Sequence, residues 1–182
     1  SKELGHFIHT KKQYDLDIHF EGIVHNQLMY DMHLPVAKTD LGFIHYGYAL
    51  PPSDMSQKHE RSKALLNQQI SEDENNFFAH LNLAQLLRAQ GDNKGTIEHA
   101  KKVTEVIGDK NVPLRHAYLM ALDQLGTAYL SDNQDANAEK VCLEAIKIKK
   151  NYLDPMITLG NIFLKNNDLK RAKYWFEKYL EV

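Results

Sequence analysis

The chain has 182 residues, 43% of them hydrophobic, and its 22 basic and 24 acidic side chains nearly cancel. It can therefore bury a core without disulfides or metals, and it has no net positive field to hold a nucleic acid or an anionic membrane. The single cysteine, Cys142, excludes an internal disulfide or a CxxC motif and suits a reducing, cytoplasmic compartment, while no run approaches the roughly 18 apolar residues of a membrane span.

Residues 1–52 show no helical period. Ser1-Lys2-Glu3-Leu4 has no apolar signal region and reads as a cut through a longer protein. In Asp17-Ile18-His19-Phe20-Glu21 the alternation by two puts Ile18 and Phe20 on one face and predicts a half-buried strand. A second extended run spans Val36 to Tyr48 and stops before Pro51-Pro52. Two or three strands do not make an independent domain, so this segment must pack on the rest or belong to a sheet whose other strands are absent. Six of the ten histidines fall here, but His6 and His9 are followed by no third ligand at a metal-site interval, and no metal is expected. Ser53-Asp54 then predicts the cap of a helix to about Ser71, with Met55, Leu66 and Ile70 on one side. This connecting helix, 53–72, is expected to cover the exposed face of the first helical hairpin beyond it.

Residues 73–182 repeat themselves. Aligning Leu83-Ala84, Leu125-Gly126 and Leu159-Gly160 gives units 77–110, 119–152 and 153–182, the last two spaced 34 residues apart. One helical turn after each Leu comes Leu87, Tyr129 or Phe163, which marks a first helix. Turns follow at Gln90-Gly91-Asp92, Asp132-Asn133-Gln134 and Asn166-Asn167-Asp168, where Gly or Asn can take the left-handed conformation that ends a helix. Second helices carry the stripes Thr96, Ala100, Val103; Ala138, Cys142, Ala145; and Ala172, Phe176, Tyr179. Residues 111–118 interrupt the period, and Pro113 predicts the start of a lengthened helix. Cys142 occupies a helix-helix position that wants a small apolar side chain, so packing rather than reactivity is its expected role.

These residues resemble the tetratricopeptide repeat family, with Ala84 where Gly is usual and Thr96 where Ala is usual. The resemblance implies a mainly α fold, a right-handed stack of helical hairpins, with a concave face built from the first helices. By register that face carries Asn82, Gln85 and Arg88, then Asp123, Gln124 and Thr127, then Thr158, Asn161 and Lys165. A protein or peptide partner is the expected ligand. A peptide ending in a free carboxylate is not expected, because the clustered Lys, Arg and Asn that hold one are missing. Trp175, Phe176, Tyr179 and Leu180 crowd the last helix, which has no polar capping helix after it. Further repeats, a partner or self-association would cover that end.

The N-terminal segment carries a second resemblance. Phe20-Glu21-Gly22-Ile23-Val24-His25-Asn26-Gln27-Leu28, then Ile44-His45-Tyr46-Gly47-Tyr48, resembles the end of the catalytic domain of bacterial family 2 glycosyltransferases. In a subgroup of those enzymes a basic helix, matched here by Lys58 and Arg61, leads into tetratricopeptide repeats. The resemblance implies that residues 1–52 are the small β-containing segment left over from such a domain. The parent enzyme would use a nucleotide sugar and a divalent metal, with His25 near the donor phosphates and metal; Asn26 departs from the usual Glu. This chain lacks a D-x-D motif, a phosphate loop and a nucleotide-binding sheet, so it is expected to be inactive alone and to hold no cofactor. Three functions therefore stand: an interaction module attached to a glycosyltransferase remnant, part of an active glycosyltransferase acting on a protein or cell-envelope glycan, or a helical spacer.

Overall fold

A computed structural model of the protein describes residues 19–21, 27–29 and 52–182, apart from 110 and 112, with side chains from Ser56 onward. The chain forms two compact units, Ser1–Leu65 and Leu66–Val182. In the first, His19–Glu21 (β1) and Gln27–Met29 (β2) pair antiparallel, with Phe20 opposite Leu28. The run 36–48 and His25 lie outside the described residues.

The helices are α1 (Pro52–Glu72), α2 (Phe77–Ala89), α3 (Asn93–Ile107), α4 (Arg115–Ser131), α5 (Asp135–Ile148), α6 (Leu153–Lys165) and α7 (Leu169–Leu180). α1 begins at Pro52, so Ser53 and Asp54 lie in its first turn instead of before it. Proline at the first helical position loses nothing, because its missing N–H would have no partner there. Within the second unit Leu66 is buried and Ile70 half-buried.

Chain reversal inside each hairpin uses one device three times. Gly91, Asn133 and Asn167 take φ of 77°, 59° and 57°. The next residue then donates its N–H back to the carbonyl of the last core residue of the first helix: Asp92 to Leu87 at 2.9 Å, Gln134 to Tyr129 at 2.8 Å, Asp168 to Phe163 at 2.8 Å. This bond satisfies a carbonyl that the end of the helix would otherwise leave open. Asp92 and Asp168 serve twice, since their carboxylates accept from the N–H of Gly95 and Arg171 and so start the second helix. Gln134 makes no such cap.

α4 starts at Arg115, not at Pro113, which lies with Leu114 in a turn; a fixed φ and a missing donor suit a turn as well as a first helical position. At 17 residues α4 is nonetheless longer than α2 and α6, each of 13.

Successive helices from α2 to α7 pack on one another, and the first helices α2, α4 and α6 also touch side by side. The core forms two clusters. One joins Ala84 and Ala100 to Leu125, Tyr129, Cys142, Leu159, Phe163 and Ala172; the other gathers Leu81, Val103, Tyr118, Leu119, Leu122 and Ala145. Leu125 and Leu159 are fully inside, each worth about 1.5–3 kcal/mol of burial. The third stripe is shallower: Ala172 is buried, whereas Phe176 and Tyr179 are half-buried and Leu180 is 80% exposed.

Close approach within the hairpins falls at the Leu-Gly positions. A Cβ on Gly126 would meet Cys142 Sγ at 2.6 Å, and one on Gly160 would meet Phe176 Cδ1 at 2.7 Å. At the equivalent places the first hairpin has Ala84 and Ala100, both fully buried. The Gly126→Ala variant should therefore lower the melting temperature, the overpacking cost of about 1–3 kcal/mol outweighing the gain of up to about 1 kcal/mol in helix propensity. Adding Cys142→Ala, which reproduces the Ala84/Ala100 pair, should recover most of that loss. A double-mutant cycle followed by thermal melting checks this, and strict additivity would contradict it.

Candidate binding cleft

Because α2, α4 and α6 lie side by side, polar residues from three successive first helices meet on one surface. They line a cleft of about 430 Å3 made by Arg88 of α2; Asp123, Thr127, Leu130 and Ser131 of α4; and Asp154, Ile157, Thr158 and Asn161 of α6. Spacings of three and four residues place each set on one helix face.

The electrostatics centre on Asp123, whose side chain is only 16% exposed. Arg88 Nη1 stands 3.9 Å from its Oδ2 and donates to Thr127 Oγ1 at 3.5 Å. Asp123 Oδ1 is buried without a hydrogen-bond partner. Burial first, and then the Asp154 carboxylate, push the Asp123 carboxyl up to about 6, against a downward pull from Arg88. Both hydroxyls bond within their own helices: Thr127 to the carbonyls of Asp123 and Gln124, each at 3.1 Å, and Thr158 to that of Asp154 at 3.2 Å.

A family profile for the tetratricopeptide repeat matches residues 121–152. The chain contains a tetratricopeptide repeat. No curated protein sequence matches it. Among solved structures it is similar to MamA from Desulfovibrio magneticus RS-1, residue 41 to the end, at 18% identity and a TM-score of 0.61, over 70% of this chain and 68% of that one. A MamA RS-1 ArsTM double mutant gives 18% identity and a TM-score of 0.60, over 70% and 67%. At this identity the likeness concerns the fold.

The matched tetratricopeptide repeat supplies the centre of the cleft, α4, and its neighbours supply the walls. Of the nine side chains assigned to the concave face by register, Arg88, Asp123, Thr127, Thr158 and Asn161 line the cleft. Gln85 is exposed outside it. Asn82 donates to the Phe78 carbonyl at 2.8 Å. Gln124 is 3% exposed and packs inside, so it is no surface contact. Lys165 is held 2.6 Å from Asp135 Oδ1, pairing the second hairpin with the third, and this contact with that from Asn166 lowers the Asp135 pKa. Asp154 is not among the nine, yet it lies one turn before Thr158 on the same face, and the i, i+4 rule could have found it.

The second helix of the first hairpin borders another recess, about 500 Å3, lined by His80, Lys94, Glu98, His99, Lys101 and Glu105 among others. His80 Nε2 lies 3.1 Å from the Glu74 carbonyl, which can only accept, so Nε2 carries the hydrogen. Nδ1 of His80 then accepts from Nδ1–H of His99 at 2.9 Å. Burial first, and then His80, lower the His99 pKa. Among the described residues, no group of three or more His, Cys, Asp or Glu side chains could hold a metal ion, and no helix is long and apolar enough to cross a membrane. Cys142 is buried, and burial pushes its thiol up to about 12, far from the range of a reactive thiolate.

The two sites bend stability against pH in opposite directions. His99 has a depressed pKa in the fold, so its contribution is present above its unfolded value of 6.5 and is lost as pH falls. The raised Asp123 pKa gives a contribution present below 3.8 and lost as pH rises through about 6. Urea unfolding should show Asp123→Asn more stable than the natural chain at pH 7.5, by about 1–3 kcal/mol, with the advantage gone by pH 4. His99→Gln should lose less stability than the natural chain between pH 7 and 5.5.

Proposed function

We propose that the helical unit is a protein-interaction module that receives a segment of a partner protein in the cleft between α2, α4 and α6. The observation that supports this most directly is that three consecutive first helices, one of them within the matched tetratricopeptide repeat, contribute side chains to a single recess. Such a surface can follow an extended or helical peptide across several hairpins. A cytoplasmic setting fits a module with one cysteine, buried in its core.

A second reading makes this module the appendage of a nucleotide-sugar-dependent glycosyltransferase. It rests on the resemblance of residues 20–28 and 44–48, and in it His25 lies near the donor phosphates and a divalent metal. The described residues offer no metal-ligand group, so no reaction step is assigned to them. Self-association through α7 is a companion proposal, supported by Leu169, Tyr174 and Leu180, which are exposed at 61%, 51% and 80%.

A lysate pull-down comparing the natural chain with Thr127→Trp/Asn161→Trp, which fills the cleft, separates an interaction module from a spacer. Loss of specific partners, with helical circular dichroism unchanged, is expected; an unchanged partner set would favour the spacer. Incubation of this chain with nucleotide sugars should release no nucleoside diphosphate, and turnover would assign catalysis to it directly. Sedimentation velocity over a hundredfold concentration range should show a dimer that Leu169→Glu/Leu180→Glu removes; a monomer throughout would eliminate self-association.

A further inference from the structure

We infer that the cleft recognises a basic side chain, lysine or arginine, on the partner segment, with the Asp123 carboxylate as its counter-charge. The inference rests on the reading of this cleft as the binding surface and specifies its ligand.

Charge balance is the first ground. Two carboxylates, Asp123 and Asp154, face one guanidinium, that of Arg88. The other cation assigned to this surface, Lys165, is engaged with Asp135. A second ground is hydrogen bonding. Arg88 sits beyond hydrogen-bond reach of Asp123 and gives a hydrogen to Thr127 instead. Thr127 and Thr158 spend their own hydrogens on backbone carbonyls. Asp123 Oδ1 is thus enclosed by protein with no donor reaching it, and an enclosed carboxylate oxygen without a donor carries its desolvation penalty uncompensated. That atom is out of a ligand's reach, but a cation on the cleft side of the carboxylate lowers the cost of its uncompensated charge and also offsets the repulsion from Asp154.

Shape agrees with charge. Leu130 and Ile157 line the same cleft and give the aliphatic stem of a lysine or arginine an apolar wall, while Asn161 is exposed at the rim. An acidic segment, or a peptide's terminal carboxylate, would meet two like charges and a single cation that already faces one of them.

The test presents the full chain to three peptide arrays, randomised except for a central Lys/Arg, Gln or Glu, at low ionic strength, with amide NMR shifts reporting where the retained peptides sit. Retention of the Lys/Arg array at least tenfold above the others, with shifts at Asp123, Thr127 and Asn161, is expected. Asp123→Asn should abolish the preference, and Arg88→Gln, which removes the competing cation, should strengthen it a few-fold. Gln or Glu peptides bound equally well in the cleft would overturn the inference and leave the binding surface standing, as would a Lys/Arg preference that survives Asp123→Asn. If no array is retained and no cleft amide shifts, the inference and the binding surface fall together.

Discussion

The helices of a hairpin meet over one small residue, and the geometry of the unit depends on what lies across from it. At Gly126 the absent side chain leaves room for Cys142 Sγ, and at Gly160 for the ring of Phe176. Ala84 needs a smaller neighbour, and Ala100 is buried in the same cluster. Thr96, where the repeat usually has Ala, is fully buried and gives its hydroxyl hydrogen to the Asp92 carbonyl at 2.7 Å, which removes the cost of burying it. Side-by-side contact of α2, α4 and α6, and hence the cleft, is built on this pairing within each hairpin.

The helical unit was legible in the sequence because its signals are local. A Leu followed one turn later by an apolar residue, then Gly or Asn, then a carboxylate or amide, encodes a helix, a left-handed stop and a new start without reference to anything distant. Leu87, Tyr129 and Phe163, picked out by spacing, are the residues whose carbonyls receive the turn hydrogen bonds. Errors fell where proline can serve two purposes: Pro52 opens a helix ahead of the expected cap, and Pro113 makes a turn instead of opening one. The end of the stack was harder to read, because the stripe of α7 continues through Phe176 and Tyr179 while burial does not, and no intrinsic pattern tells how deeply a terminal helix is covered.

The cleft was legible as a surface and illegible as chemistry. Register placed Arg88, Asp123, Thr127, Thr158 and Asn161 together, since residues on one helix face stay together wherever the helix goes. It could not say that Gln124, adjacent to Asp123, turns inward, or that Lys165 is drawn to Asp135. The Lys165 contact reaches a partner 30 residues away, and the Asp154 charge that helps to raise the Asp123 pKa comes from another helix. His80 and His99 went unnoticed for the same reason: 19 residues apart, they become a hydrogen-bonded pair only once α2 and α3 fold together.

The volume relation between facing positions has a consequence for modularity. Repeats of this kind invite treatment as interchangeable bricks, yet at the Leu-Gly position the first helix of each hairpin is matched in volume to its own second helix. Grafting α3 with its Ala100 opposite Gly126 would leave a hole, and grafting α5 with its Cys142 opposite Ala84 would force a collision. A cut within a hairpin separates this matched pair, whereas a cut between hairpins keeps it and asks instead that the packing of α3 on α4 or of α5 on α6 be preserved.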